Sequence, residues 1–304
     1  MRIVFMGTPD FAVAALVALK EAGHDIVGVY THMDTPKNRG MKMLPPPVKV
    51  QALEYGIPVY QPKNLRSEEV QQELRDMEPE VIVVAAYGRI LPQAVLDIPK
   101  YGCLNIHASL LPKYRGASPI NACILHGETE AGVTIMQMDA GLDTGDMLIK
   151  RTVPIADDDT AETLYDKLAE EGGVLIKEVV SRLLAGETLP REKQNEEEAT
   201  YAPIIQKEHG LIDWSKSAQQ IEQMVRGFYS WPCAYTMLED KKLTVLKARV
   251  LSEEECGAFA LEEVENGAVL AEGLVGKRKK LLVHTGNGVL QIEQLQLQGK
   301  KAME

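Results

Sequence analysis

The sequence predicts an α/β protein: a Rossmann-like, mostly parallel sheet with an antiparallel appended pair, followed by a small C-terminal OB-like β-barrel domain. Three observations predict it. Short apolar segments alternate with helical ones as far as His107, the pattern of a parallel sheet covered on both faces. Two strand-like segments, 132–139 and 147–154, then follow one another around a glycine-punctuated loop, which suits an antiparallel pair. Beyond Lys207 the pattern changes to short alternating segments bounded by Gly, Asp and Asn turns, as in a small barrel or meander.

The elements follow in order. Residues 2–6 read as a strand, and Gly7-Thr8-Pro9-Asp10 as a turn in which Thr8 or Asp10 caps a helix over 11–22. A strand at 25–31 completes the opening βαβ pattern. A helix over 48–55 follows the Pro45-Pro46-Pro47 run, then a short strand at 58–60, a helix over 67–76 and a strand at 81–85. Residues 102–107 form the next buried strand. A long helix over 160–185 closes the first domain, expected to span 1–189. The polar stretch 190–206, with Glu196-Glu197-Glu198, reads as a linker. The second domain, 207–304, opens with a helix over 217–228. Strands are expected at 234–238, 243–251, 268–271, 280–284 and 288–297.

Composition bounds the function. A chain of 304 residues with 45% hydrophobic and 25% charged residues is an ordinary globular protein of two-domain size. No apolar run reaches the roughly 20 residues that span a bilayer. The N-terminus enters a strand directly, without the apolar core of a signal peptide. Cys103, Cys123, Cys233 and Cys256 form no C-x-x-C pair, and the first two sit in apolar contexts, so a reducing, cytoplasmic setting is expected. The net charge of −11 argues against nonspecific nucleic-acid binding by the whole molecule. The charge is uneven, however: residues 1–206 carry 20 basic and 30 acidic side chains, residues 207–304 carry 13 and 14. Basic clusters at Lys277-Arg278-Lys279-Lys280, Lys241-Lys242 and Lys300-Lys301 are either solvated turns or a local surface for a polyanion.

The chemistry concentrates around Asn105-Ile106-His107. Asn and His alternate, so both point to one face of their strand. Buried polar groups at a strand end need partners or a ligand. The loop that follows, His107 to Ile120, is rigid and proline-containing, and Asp143 lies beyond it between Gly141 and Gly145. Asn can donate to an oxyanion, His can carry a proton, and Asp can orient His or stabilise its charged form. No Ser or Cys completes a covalent set, which points to direct attack of one substrate on another. Gly7-Thr8-Pro9 is not the G-x-G-x-x-G of a dinucleotide site. His24, His32, His126, His209 and His284 lack metal-ligand spacing with other donors, so no metal is expected.

Two further segments suit ligands. Ala85-Ala86-Tyr87-Gly88-Arg89-Ile90-Leu91-Pro92 follows a parallel strand at its carboxyl end, where open α/β sheets bind small molecules. There Gly88 lets the backbone face a flat heterocycle; a plain strand-to-helix turn is the alternative. The connection 32–47 far exceeds the usual roughly 2–6 residues. It is a lid, a binding finger or an unstructured insertion, and its basic composition suits an anionic partner.

These segments resemble the folate-dependent formyltransferases, and in particular the bacterial members that act on methionyl-tRNA. The matching stretches are MGTPDFA at 6–12, RGMKMLPPPVK at 39–49, AAYGRILP at 85–92, NIHASLLPKYRGASPI at 105–120 and GVTIMQMDAGLDTGDML at 132–148. They continue with IDWSKSAQQI from Ile212 and the later Trp231-Pro232, so the resemblance spans essentially the whole chain. It implies formyl transfer from 10-formyltetrahydrofolate, as co-substrate, to the amino group of initiator methionyl-tRNA. By position it implies Asn105, His107 and Asp143 as the catalytic set. Ser109, Leu110, Leu111 and Pro112, with Tyr87, Gly88, Arg89 and Ile90, are implied as the folate site. Arg39 and Lys42 in the insertion loop and Lys277 and Arg278 in the second domain are the expected tRNA contacts, and a monomer is expected. A formyltransferase acting on a sugar-nucleotide amine or a glycinamide ribonucleotide is the nearest alternative. A noncatalytic folate- or RNA-binding module is the other, and the Asn-His-Asp set argues against it.

Overall fold

The structure, a computed structural model, describes residues 1–37, 42–257, 259, 261, 263–270 and 280–304. Arg39, Lys277 and Arg278 lie outside the described residues. By contacts the chain forms two compact units. The first comprises residues 1–119, 130–154 and 165–202; the second comprises 120–129, 155–164 and 203–304.

In the first unit, β1 (Arg2–Gly7) is almost continuously apolar and buried, as a strand covered on both faces must be. It leads into α1 (Asp10–Glu21), which buries Phe11, Ala12, Ala15, Leu16 and Leu19 at helical spacing. The cap differs from expectation. Pro9 occupies the N-cap with no side-chain cap bond, and neither Thr8 nor Asp10 caps. Asp10 instead sits in the first turn, where the positive helix end favours a carboxylate. After β2 (Asp25–Tyr30), the long connection contains a short hairpin, β3 (Thr35–Lys37) with β4 (Lys42–Leu44). Then α2 (Pro47–Glu54) begins with proline, which suits a first helical position. β5 (Val59–Tyr60) precedes α3 (Glu68–Asp76), capped by Ser67, whose hydroxyl accepts from the Val70 N–H. β6 (Val81–Ala85), the short helix α4 (Gln93–Leu96), β7 (Cys103–His107) and the two-residue β8 (Arg115–Gly116) follow.

Helix α5 (Pro119–Leu125) leads to the antiparallel pair β9 (Glu130–Gln137) and β10 (Met147–Pro154). The long helix α6 (Ala161–Leu184) and the two-residue β11 (Tyr201–Ala202) complete this part of the chain. One seven-stranded sheet runs β10-β9-β7-β6-β1-β2-β5. The five strands from β5 to β7 are parallel, and β9 joins β7 antiparallel, as the sequence predicts. The chain winds outward from β1 to β5, then returns to β6 on the other flank of β1. This reversal opens a crevice at the carboxyl ends of β1 and β6. Gly7 sits there because a Cβ would lie 2.6 Å from that of Ala12 and 2.9 Å from the Ala85 carbonyl oxygen.

In the second unit, Ser217 and Gln220 form a capping box at the start of α7 (Ala218–Gly227). Strands β12 (Ala234–Leu238) and β13 (Lys241–Val250), the single-turn α8 (Glu253–Cys256), β14 (Leu281–His284) and β15 (Val289–Leu297) follow. The sheet β12-β13-β15-β14 is antiparallel throughout, and two register shifts in β13 curl it into a half-barrel. The strand expected at 268–271 is, among the described residues, a single bridge from Val269 to Val283. Ile221 and Val225 of α7 pack with Ala234, Val245, Val283, Leu290 and Ile292 as the core of this unit.

Leu74 is fully buried in the cluster that supports β6 from below α3 and α4. Replacing it with Ala should cost about 2–5 kcal/mol, the range for a buried leucine that leaves a cavity. Chemical denaturation followed by circular dichroism checks this; a loss below about 1 kcal/mol would contradict the packing described.

Candidate active site

Strand β7 positions the first two groups. Asn105 lies opposite Val84 of β6 and Met136 of β9, and His107 opposite Thr134. Their side chains share one face of the sheet, as the alternation requires. His107 is 6% exposed, while Asn105 is half-buried.

The loop after β7 is tied to the sheet by its own backbone. The Ser109 hydroxyl donates to the Lys113 carbonyl at 2.6 Å, and the Thr134 hydroxyl donates to the Ser109 carbonyl at 2.7 Å. The Leu111 N–H donates to the Thr134 hydroxyl at 3.2 Å. Leu111 packs with Met136 and Met147, and the Leu111–Pro112 peptide is cis. The Ser109 hydroxyl, Leu111 and Pro112 therefore shape the loop from inside; Leu110 is half-buried.

This loop returns three consecutive residues to the end of β7. The Tyr114 carbonyl meets His107 Nε2 at 2.9 Å. A carbonyl only accepts, so Nε2 carries the proton and Nδ1 is the edge left for chemistry. Arg115 turns its guanidinium inward, with its side chain fully buried. The Gly116 N–H donates to Asp143 Oδ2 at 2.9 Å. Tyr114 and Gly116 both adopt left-handed backbone angles, φ 59° and 105°. A Cβ at Gly116 would stand 2.8 Å from the Ala202 carbonyl oxygen, so glycine is needed there.

Asp143 lies on the β9–β10 connection, which folds back over the face that Asn105 and His107 share. Its Oδ1 accepts a long hydrogen bond from Asn105 Nδ2, 3.4 Å, and its Oδ2 stands 3.7 Å from His107 Nδ1. The second distance exceeds hydrogen-bond length, so the two groups face each other without a direct bond. Asp143 has φ 54°, a left-handed conformation that Asp tolerates better than most residues. Asp139 braces the loop by accepting from the Gly141 N–H and the Thr144 hydroxyl.

The sequence reading missed the groups that hold Asp143 from outside. Residues 192–202, expected as part of a linker, run as a strap along the first unit. Glu192 pairs with Met147, Thr200 binds the Tyr114 N–H through its hydroxyl, and β11 pairs with β8. Within the strap, Gln194 Nε2 donates to the Asp143 and Gly145 carbonyls at 2.7 and 2.8 Å. Glu196 clasps both terminal nitrogens of Arg115, which holds its carboxyl below the usual carboxylate range. A polar, acidic stretch with two-residue strand pairing carries no periodicity that would reveal this. The lone arginine in an otherwise small and apolar Tyr114–Ile120 run was the available signal.

At the crevice, Tyr87 is buried, and burial pushes its phenol up to about 12. Its ring meets His32 edge-on, centroids 5.7 Å apart. Gly88 has φ 72° and Ile90 is 79% exposed, so backbone and an apolar side chain face outward here; Leu142 is exposed on the Asp143 loop. Arg89 is half-buried. Burial lowers the His32 pKa, helped by the Arg89 cation. Lys42 begins β4; at the root of that hairpin Lys49 binds Asp34 at 2.8 Å and Gln61 at 2.9 Å. The Lys49 bond first, and then a bond that Gln61 Nε2 donates to Asp34 Oδ1 at 2.9 Å, lower the Asp34 pKa. Among the described residues no group of His, Cys, Asp or Glu is placed to hold a metal ion, and no helix is long and apolar enough to cross a membrane.

An amide, an imidazole and a carboxylate thus meet on one face of an α/β sheet. The chain belongs to the formyl transferase family: the family's description fits residues 1–180, and its C-terminal domain fits residues 204–304. Its place within that family is with the methionyl-tRNA formyltransferases. One such protein of Geobacter metallireducens is 51% identical over 303 residues, covering 100% of this chain and 93% of the relative. Another, of Marinobacter nauticus, is 52% identical over 302 residues, covering 99% and 93%. Among solved structures, an N-formyltransferase from Helicobacter canadensis in complex with folinic acid and dTDP-3-aminofucose shares the fold. Its TM-score is 0.68 at 20% identity, over 95% of this chain and 98% of that one.

Gly145 packs so closely that a Cβ would run into the Gln137 carbonyl oxygen. Gly145→Ala should therefore displace Asp143 and lower kcat on the order of 10²-fold, the cost of a misplacement near 1 Å. Steady-state kinetics on protein with an unchanged circular dichroism spectrum checks this; unaltered kcat would contradict it.

Proposed function

We propose that the protein transfers the formyl group of 10-formyltetrahydrofolate to the amino group of initiator methionyl-tRNA, with Asn105, His107 and Asp143 as its catalytic residues. The observation that carries the reading is their convergence on one face. It occurs in a chain about half identical, over its whole length, to methionyl-tRNA formyltransferases. The amine attacks the formyl carbon and a carbon–nitrogen bond forms. Asn105 Nδ2 and, when His107 is protonated, its Nδ1–H donate to the oxyanion that results. Asp143 stabilises that imidazolium and holds its edge towards the substrates. The amine gives up one proton, and the departing N10 of the folate gains one as its bond to the formyl carbon breaks. His107 and Asp143 carry that proton between them. No acyl-enzyme forms, and alignment of the two substrates supplies much of the acceleration.

The folate lies against the Tyr87–Ile90 turn and the 109–112 loop, with Ile90 and Leu142 as apolar lips. Arg39, Lys42, Lys277 and Arg278 contact tRNA phosphates. Residues 1–189, completed by the strap at 192–202, act as the catalytic domain and 207–304 as the tRNA-binding domain. The enzyme works as a cytoplasmic monomer. The direct test offers the purified protein a formyl-folate with charged initiator tRNA, free methionine or an amino-sugar nucleotide. Only the charged tRNA should be formylated; formylation of the sugar nucleotide instead would overturn the reading.

Asn105→Ala, His107→Ala and Asp143→Ala should each lower kcat on the order of 10²–10³-fold while staying folded, the scale of losing one oxyanion donor. Near-wild-type turnover in a folded His107→Ala protein would remove His107 from the mechanism.

For the full-length protein, tRNA affinity should fall steeply with salt, about 0.7–0.9 units of log slope per neutralised phosphate. Replacing Lys277 and Arg278 together with Ala should flatten that slope, and Arg39→Ala should weaken tRNA binding while leaving folate titration unchanged. An unchanged slope in the double variant would take those two residues out of the tRNA interface.

A further inference from the structure

We infer that Gln194 and Arg115 are positioning residues for Asp143, and that the strap carrying Gln194 is part of the catalytic machinery. This rests on the catalytic reading of Asp143 given above. Asp143 has two handles. Its carboxylate is held by the Gly116 N–H at 2.9 Å, and its carbonyl by Gln194 Nε2 at 2.7 Å. The same amide nitrogen reaches the Gly145 carbonyl at 2.8 Å, so Gln194 gathers both sides of the turn that presents the carboxylate. Gln194 can do this in only one amide orientation. Two carbonyls on one side require its NH₂, and the Arg115 Nε–H on the other requires its oxygen, 2.9 Å away.

Arg115 enforces that orientation. Its side chain is fully buried, and a buried cation must be paired. Both terminal nitrogens bind the Glu196 carboxylate, at 2.9 and 2.8 Å, which leaves Nε pointing at Gln194. The planar, bidentate fork fixes where Nε lies, which a lysine could not do. Arg115 and Gly116 are adjacent in sequence, so one turn of chain delivers the bond to the Asp143 carboxylate and, through Gln194, the bond to its carbonyl. Among the described residues Gln194 forms no hydrogen bond to a side chain of Asn105, His107 or Asp143. Its effect must pass through the placement of Asp143.

The test is a double-mutant cycle on the full chain, with Gln194→Ala, Asp143→Ala and the double variant. Gln194→Ala should lower kcat about 10- to 100-fold, the range for losing a supporting hydrogen bond behind a catalytic group. KM for the folate and for the charged tRNA should stay within about twofold, and the circular dichroism spectrum should be unchanged. In the Asp143→Ala background, the same substitution should cost less than about twofold, because residues acting as a unit are not additive. Arg115→Lys, which keeps the charge, should reproduce the kcat loss of Gln194→Ala if it folds; the Gln194 cycle stands without it. A wild-type kcat in Gln194→Ala, or an equal loss in both backgrounds, overturns the inference. If Asp143→Ala itself kept full activity, the catalytic reading would fall and this inference with it.

Discussion

The return of Tyr114, Arg115 and Gly116 to the end of β7 is the constraint on which the rest of the site depends. Three successive residues supply three different groups: a carbonyl to His107, a buried guanidinium to the strap, and an N–H to Asp143. In an extended strand successive groups alternate from side to side, so bringing three of them back to one strand end takes a sharp change of backbone direction. The left-handed angles at Tyr114 and Gly116 provide this, on either side of Arg115. The loop from Ala108 to Lys113 serves that return. Its internal bonds through Ser109 and Thr134 decide where the chain re-enters.

That geometry suits the direct transfer proposed above, in which the protein supplies no nucleophile. His107 has one nitrogen committed to a carbonyl and one facing Asp143 across 3.7 Å, so its proton-carrying edge is defined before a substrate arrives. Asn105 contributes a donor on the same face at a position set by strand register, not by a flexible loop. Groups fixed on rigid elements need little reorganisation when charge develops, which is where electrostatic catalysis gains most. The crevice beside β6 offers backbone, an exposed isoleucine and a buried tyrosine, a mixture suited to a flat heterocycle with polar edges.

Much of this was legible in the sequence because it is carried by local pattern. The buried run Val81–Ala85, the alternation in Cys103–His107 and the glycine-flanked Asp143 each bear a signature within a few residues. The antiparallel pair was legible for the same reason. The strap was not. Gln194 and Glu196 stand in an acidic stretch whose composition is that of a solvated connector, and nothing local says that it meets Arg115 about 80 residues earlier. The hairpin Thr35–Lys37 with Lys42–Leu44 also went unseen, since three-residue strands containing proline lack alternation. The helix cap at Pro9 shows the opposite limit: Thr8 and Asp10 have the right chemistry for a cap, yet the N-cap falls on the proline between them.

His107 is held by the Tyr114 carbonyl through Nε2, which leaves Nδ1 as the edge that the proposed mechanism uses. Long-range proton–nitrogen NMR correlations on histidine-labelled protein measure this directly. The neutral imidazole of His107 should be the Nε2–H tautomer, with the Nδ1 resonance alone changing as the ring gains its second proton. A neutral ring with its proton on Nδ1 would mean that the Tyr114 carbonyl does not hold Nε2, and would contradict the account.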